Sequence, residues 1–203
     1  MSWKDRLLEN QLVYRLWQAP FVAQKLAPMF RANDPRAFRR VLDVGCGPGT
    51  NTAHFLHTDY LGLDINPEYV AYAKARYGKE FVVADATTYT APEGRLFDAI
   101  LMNSFLHHVD DAGTARILSH LATLLTPEGR IHILDLVLPD NPGIARFLAL
   151  HDRGHHARPL GRWRELFGAH FAEERFEPYP LKLFGLPPVL WNMVYFKGAR
   201  RSS

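Results

Sequence analysis

From Arg40 onward the chain alternates short, β-branched apolar runs with longer stretches of mixed polarity. Five runs read as strands ending near a polar or small residue: "RVLDVG" (40–45), "YLGLD" (60–64), "FVVAD" (81–85), "FDAILM" (97–102) and "RIHILDLV" (130–137). Between them, 50–58, 67–77 and 111–125 carry apolar residues at helical spacing, the second opened by Asn66 as N-cap with Pro67 behind it. "TPEG" (126–129) supplies a turn into the fifth strand. Strands alternating with helices predict an α/β fold, a parallel sheet flanked by helices. Ligand-contacting groups belong at the strand ends.

The flanks differ. Leu7, Leu8, Leu12, Leu16 and Trp17 predict one or two helices within 1–39, laid over the sheet. Past residue 138 a loop rich in Pro and Gly, "LPDNPG", leads into a histidine-rich helix and then a hairpin. In that hairpin "AEERFEPYPLKLF" pairs with "PPVLWNMVYFKG" and Gly185 sits at the turn. The expected organisation is one domain over 1–203: a helical cap (1–39), a ligand-binding core (40–138), and an acceptor-side helix with the hairpin (139–203).

Composition narrows the classes. With 203 residues, 47% of them apolar, the chain can bury one full core. The 24 basic and 21 acidic residues form no long run of one sign, so nucleic-acid binding is permitted but not indicated. The lone cysteine, Cys46, has no disulfide partner and reads as a small buried filler, which makes a cytoplasmic protein the expectation. "MSWKDRLLEN" carries charges where an export signal needs apolar residues, and no run approaches the roughly 18 apolar residues of a membrane span.

The chemistry concentrates in "VLDVGCGPGT" (41–50). Gly45, Gly47 and Gly49 let the backbone turn sharply and approach a ligand closely, and a following helix would point free N–H groups at it. The order is not the G-x-G-x-x-G of a dinucleotide loop, so NAD is disfavoured. Asp64 ends the second strand at nearly the ~20-residue spacing of a carboxylate that accepts from ribose hydroxyls, and Asp85 ends the third. Together they predict an adenosine ligand. The bland alternatives are a tight turn for the glycines and caps for the acids.

Taken together, "VLDVGCGPGT", "LGLDINPEYV", "VVADATTY", "FDAILMNSFLHHV" and "LLTPEGRIHILDL" resemble the successive motifs of class I S-adenosylmethionine-dependent methyltransferases over about residues 40–138. The resemblance implies a Rossmann-like seven-stranded, mostly parallel sheet with its last strand antiparallel. It implies S-adenosylmethionine as donor, with Asp43, Gly45, Gly47 and Gly49 around its methionine part. By the same resemblance Asp64 and Ile65 lie at the ribose, Asp85 and Ala86 at the adenine, and Asn103 near the sulfonium or amino group. A tyrosine in the N-terminal helix often reaches the donor carboxylate in similar proteins, which makes Tyr14 a candidate, with core packing as its alternative reading.

The acceptor is less legible. Methyl transfer from a sulfonium requires alignment above all, and a hydroxyl acceptor gains from a base, for which histidine is suited. Of ten histidines, two stand in "FLHHV" and three in "HDRGHHARPLGRW". His155 is the preferred base and His151, four residues earlier, shares its face if the helix continues past Gly154. His108 is the third candidate. In similar enzymes the His107–His108 pair is often part of the fold's signature. Arg158 is expected to pair with an anionic acceptor. No metal is expected from "HDRGHH", nor Mg²⁺-dependent catechol chemistry, since Leu136 follows Asp135 where that family has Asn. "MNSFLHHV" lacks the prolines of base-flipping amine methyltransferases. The expected partner is therefore a small, apolar or aromatic metabolite, methylated on O, N or C. The alternatives are a non-catalytic donor-binding subunit and, third, an RNA methyltransferase.

Overall fold

A computed structural model describes residues 21, 24–152 and 154–201. Its centre is a seven-stranded sheet of order β3-β2-β1-β4-β5-β7-β6: β1 Arg40–Val44, β2 Asp59–Asp64, β3 Glu80–Val83, β4 Phe97–Asn103, β5 Leu125–Val137, β6 Phe171–Lys182 and β7 Val189–Arg200. The first five pair in parallel, and β7 runs antiparallel to both β5 and β6. The chain doubles back between β3 and β4, which leaves a crevice beyond the carboxyl ends of the adjacent strands β1 and β4, the place where such sheets bind ligands.

The central strands are buried on both faces, and their side chains divide by parity. Leu42, Val44, Ile100, Met102, Ile131 and Ile133 share one core with Ile117 and Leu121 of α3 (Asp111–Thr123) and with Trp163 and Phe167 of α5 (Leu160–His170). Val41, Ala99, Leu101 and Leu134 face the other way. They pack with Leu26 and Met29 of α1 (24–32), Val70 and Ala73 of α2 (Pro67–Tyr77) and the ring of Tyr195. A short helix, α4 (Ile144–Leu150), follows β5. Among the described residues no helix is long and apolar enough to cross a membrane.

Several local readings hold and two change. Asn66 caps α2 by accepting from the backbone N–H groups of Glu68 and Tyr69, with Pro67 behind it, and the C-terminal hairpin turns at Gly185. The helix expected over 50–58 is only a 3-10 turn, Thr52–Phe55. The stretch is rich in threonine and asparagine, poor helix formers, and the Asn51 side chain donates to Asp43 instead of capping. "TPEG" lies inside β5 as a bulge: Phe97 pairs with Leu125 but Ala99 with Arg130. Two aromatics that follow β5, Trp163 and Phe147, part company. Trp163 is core, its indole N–H donating to Leu136 O, whereas Phe147 is 60% exposed on α4.

Candidate functional site

The glycine loop leaves β1 with left-handed backbones at Gly45, Gly47 and Gly49 (φ 69°, 53° and 80°), conformations that cost a side-chain-bearing residue. Gly45 also has to be bare, because a Cβ there would stand 2.6 Å from the Phe105 ring, whereas a Cβ on Gly47 would meet nothing within 4 Å. The loop is therefore packed against the β4 end at its root and open at Gly47.

Asp64, at the tip of β2, holds this opening in place. Its Oδ2 accepts from the Gly47 N–H at 2.8 Å and its Oδ1 from the Asn66 N–H at 2.9 Å. A carboxylate has about four acceptor sites, so each oxygen retains capacity for a ribose hydroxyl. Ile65 beside it is 72% exposed, a largely uncovered apolar surface. Asp85 is exposed, and its Oδ1 takes both the Thr87 N–H and the Thr87 hydroxyl at 2.7 Å, the cap-like turn that was its alternative reading. Its second oxygen is not part of that turn. Ala86 is buried beneath it.

Asp43 lies buried within β1. It is 0% exposed, accepting from the Tyr60 hydroxyl at 2.7 Å and from Asn51 Nδ2 at 3.2 Å. Burial, partly offset by these donors, raises its carboxyl to about 7. Asp43 therefore reaches the crevice only through Asn51, whose Oδ1 accepts from Asn103 Nδ2 at 2.9 Å. Asn103 in turn accepts from the Ser104 hydroxyl, and Ser104 from Lys25 Nζ at 3.0 Å. Burial lowers Lys25 to about 8, against the pull of Asp135 and Asp152. Tyr14 lies outside the described residues.

The two histidine segments form one cluster. The chain after α4 folds back on the turn after β4, with the His156 N–H donating to His107 O at 3.0 Å. Gly154 permits this contact, since a Cβ there would stand 2.1 Å from His107 Cδ2. The His107 ring is held between two carboxylates, Nδ1 at 2.6 Å from the buried Asp135 and Nε2 at 3.2 Å from Asp152. Asp135 also accepts from the backbone N–H groups of Leu106 and Leu136 at 2.7 Å. Burial opposes a charge on His107, but the two carboxylates outweigh it and raise the ring to about 9. Asp152 falls to about 2 despite burial, through His107 and the Gly154 N–H. His107 is thus an imidazolium at neutral pH, and His108, its ring centroid 4.2 Å away, is pushed the other way by burial and by that cation. The only non-glycine left-handed backbones among the described residues, Ser104 and His155, both lie in this region.

The remaining expectations are altered. α4 stops at Leu150, so His151 and His155 do not share a helical face; the His151 ring bonds Phe147 O and lies tilted against the Phe147 ring, while His155 is an exposed turn residue. Arg158 is buried. It pairs with Asp111 at 2.6 Å, donates to the carbonyls of Leu106, Val109 and His156, and lies over the Trp163 ring, which ties it to the framework rather than to an anionic acceptor. Cys46 is the buried filler expected. Lys25, Ser104 and the Asp135–His107–Asp152 triad went unread in the sequence. The available signal was the acid inside the apolar run "HILDLV", which in a buried strand demands a partner.

Comparison with known proteins agrees with this geometry. Residues 41–129 match the family described as "Methyltransferase domain". Over 108 residues the chain is 39% identical to a trans-aconitate 2-methyltransferase of Methylobacterium radiotolerans, covering 51% of this chain but only 39% of that protein. It is 32% identical over 135 residues to an uncharacterized methyltransferase of Mycobacterium bovis, covering 64% of this chain and 67% of the relative. The fold matches that of the Burkholderia thailandensis 1,6-didemethyltoxoflavin-N1-methyltransferase, solved with S-adenosylhomocysteine, at a TM-score of 0.71 and 22% identity over 98% of this chain and 87% of that one. With its sheet order, its glycine loop and these relatives, the chain belongs to the class I S-adenosylmethionine-dependent methyltransferases.

Proposed function

We propose that this protein transfers the methyl group of S-adenosylmethionine to an O, N or C atom of a small metabolite. The observation that carries the reading is the pairing of the open Gly47 turn with the Asp64 carboxylate, which grips the loop through one backbone N–H and keeps acceptor capacity for a ribose. Bound there, the donor supplies an activated methyl on a sulfonium. Gly45, Gly47 and Gly49 would take its methionine part with Asn103 close by, Asp64 and Ile65 the ribose, and Asp85 and Ala86 the adenine, with Asp43 stiffening the loop through Asn51. Relatives named for small acceptors, trans-aconitate and 1,6-didemethyltoxoflavin, support a metabolite over RNA.

The acceptor would approach over the ends of β4 and β5. There this chain's contribution is chiefly alignment and exclusion of water. For a hydroxyl acceptor a base is useful, and His108 suits that role better than His155 or His151: it is held neutral beside a cationic His107, while His151 is engaged with Phe147. Calorimetry with S-adenosylhomocysteine, followed by incubation with donor and a metabolite extract, tests the reading. Expected are donor-product binding and S-adenosylhomocysteine formation that depends on the extract. Binding without turnover would favour an accessory role, and folded protein that binds neither form of the donor would end the reading.

A further inference from the structure

We propose that His107 Nε2, one ring nitrogen of His108 and a carboxylate oxygen of Asp152 form a binding site for a borderline divalent cation of the Zn²⁺ or Co²⁺ kind. The three ligand atoms lie within 4.8 Å of one another although Asp152 comes from a loop far along the chain. Metal–ligand distances of about 2.0–2.1 Å in a tetrahedron give ligand–ligand edges of roughly 3.3 Å. The His107 Nε2 to Asp152 Oδ1 separation of 3.2 Å matches that edge without rearrangement.

The surroundings of His107 are those of a metal ligand. Its Nδ1 faces the buried Asp135 at 2.6 Å, which keeps a proton on Nδ1, and its Nε2 faces Asp152 at 3.2 Å, where a cation would take the place of the second imidazolium proton. A carboxylate behind a histidine ligand is the usual device for fixing the ring and raising its basicity. Asp135 is itself immobilised by backbone N–H groups of Leu106 and Leu136, and Gly154 is bare where Asp152 is brought in. Two imidazoles and one carboxylate suit zinc or cobalt, whereas Mg²⁺ and Ca²⁺ prefer oxygen donors. The negative charges of Asp135 and Asp152 offset the cation, with Lys25 tempering them.

Three protein ligands leave one vertex open, the arrangement of zinc sites that bind a water or a substrate oxygen. That the vertex takes an acceptor oxygen rests on the methyl-transfer reading; cation binding itself does not. The test uses the full chain, stripped with chelator and titrated with CoCl₂. Expected is one equivalent bound with the visible bands of tetrahedral Co²⁺, displaced by one equivalent of ZnCl₂. His108→Gln and Asp152→Asn, both away from the core, should weaken binding at least 10-fold. Asp135→Asn should weaken it by about 10–100-fold, an effect that adventitious binding by surface histidines would not show. Absence of the bands, or bands indifferent to both surface variants, overturns the site. Calorimetry with S-adenosylhomocysteine in EDTA separates the two ideas: intact donor binding with no Co²⁺ response removes the metal site alone, and a Co²⁺ site with no donor binding removes the methyl-transfer reading alone.

Discussion

Replacing Asp135 by asparagine should return His107 from a permanent cation to an ordinary or sub-ordinary histidine. Opposite charges about 4 Å apart attract by about 4 kcal/mol at an effective dielectric constant of 20, which is roughly 3 pK units. In the parent protein that attraction, with help from Asp152 and against burial, leaves the ring at about 9. Without Asp135 the burial cost remains and only the half-buried Asp152 opposes it, so the ring should fall by at least about 2 units. Asp152→Asn should lower it by less. Carbon–proton correlation spectra of the histidine Cε1 positions, followed from pH 5 to 10.5 in EDTA on the folded proteins, read this directly. Linkage gives a second readout. A raised folded pKa contributes stability that is fully present below the unfolded value near 6.5 and is lost as pH rises through about 9. Between pH 6.5 and 8 the parent should lose about 1.5 kcal/mol in urea unfolding that the variant does not lose; Asp43 titrates in both and cancels. A His107 resonance at or below 6.5 in the parent, or one unmoved in Asp135→Asn, would refute the triad.

Asp64→Ala should weaken S-adenosylhomocysteine binding by on the order of 1.5–3 kcal/mol for each ribose bond lost, read by calorimetry; unchanged affinity would mean that the carboxylate serves only the loop. In EDTA, where no cation occupies the His108 nitrogen, His108→Gln should cut turnover while leaving that affinity unchanged, and the acid limb of the pH–rate profile should vanish with it. Gly154→Ala should cost about 1–3 kcal/mol in thermal unfolding, because its Cβ would fall 2.5 Å from His107 O. His132 is fully buried between Tyr195 and Phe38, and burial drops it to about 3. Its stabilisation is present above the unfolded pKa near 6.5 and lost as pH falls toward 3, so His132→Leu should flatten the acid limb of the stability curve; a parallel limb would remove His132 as its cause.

The sheet was readable because its strands advertise themselves. Val41–Val44, Leu61–Leu63 and Ile100–Met102 are buried on both faces, so nearly every position is apolar and no register is needed to recognise them. The cap of α2 was readable for a related reason: Asn66 and Pro67 act within their own turn. The failures are places where a distant partner decides. Nothing local to "TNTAHFLHT" says that Asn51 will be drawn to Asp43 and Asn103, yet that recruitment, with poor helix formers around it, reduces a helix to one 3-10 turn. The "TPEG" bulge likewise follows from how β5 meets β4, not from the turn residues themselves.

The proposed donor side of the crevice and the proposed acceptor side differ in the same way. Gly45, Gly47, Gly49 and Asp64 belong to strand ends whose adjacency follows from a parallel sheet, so their order along the chain is already their order in space. The histidines have no such guarantee. "FLHHV" and "HDRGHH" read as rival sites because helical spacing was the only geometry available for His151 and His155, and α4 ends before that spacing applies. What joins the two segments is a buried acid reaching His107 from β5, a bare Gly154 that lets a loop press on the same ring, and Asp152 arriving with it. Each is a tertiary contact with no sequence period. Once they are seen, the chemistry shifts: between two carboxylates the metal-free His107 ring keeps both its protons near neutral pH, so it holds a charge and orients the cluster while the neutral His108 beside it is left to act.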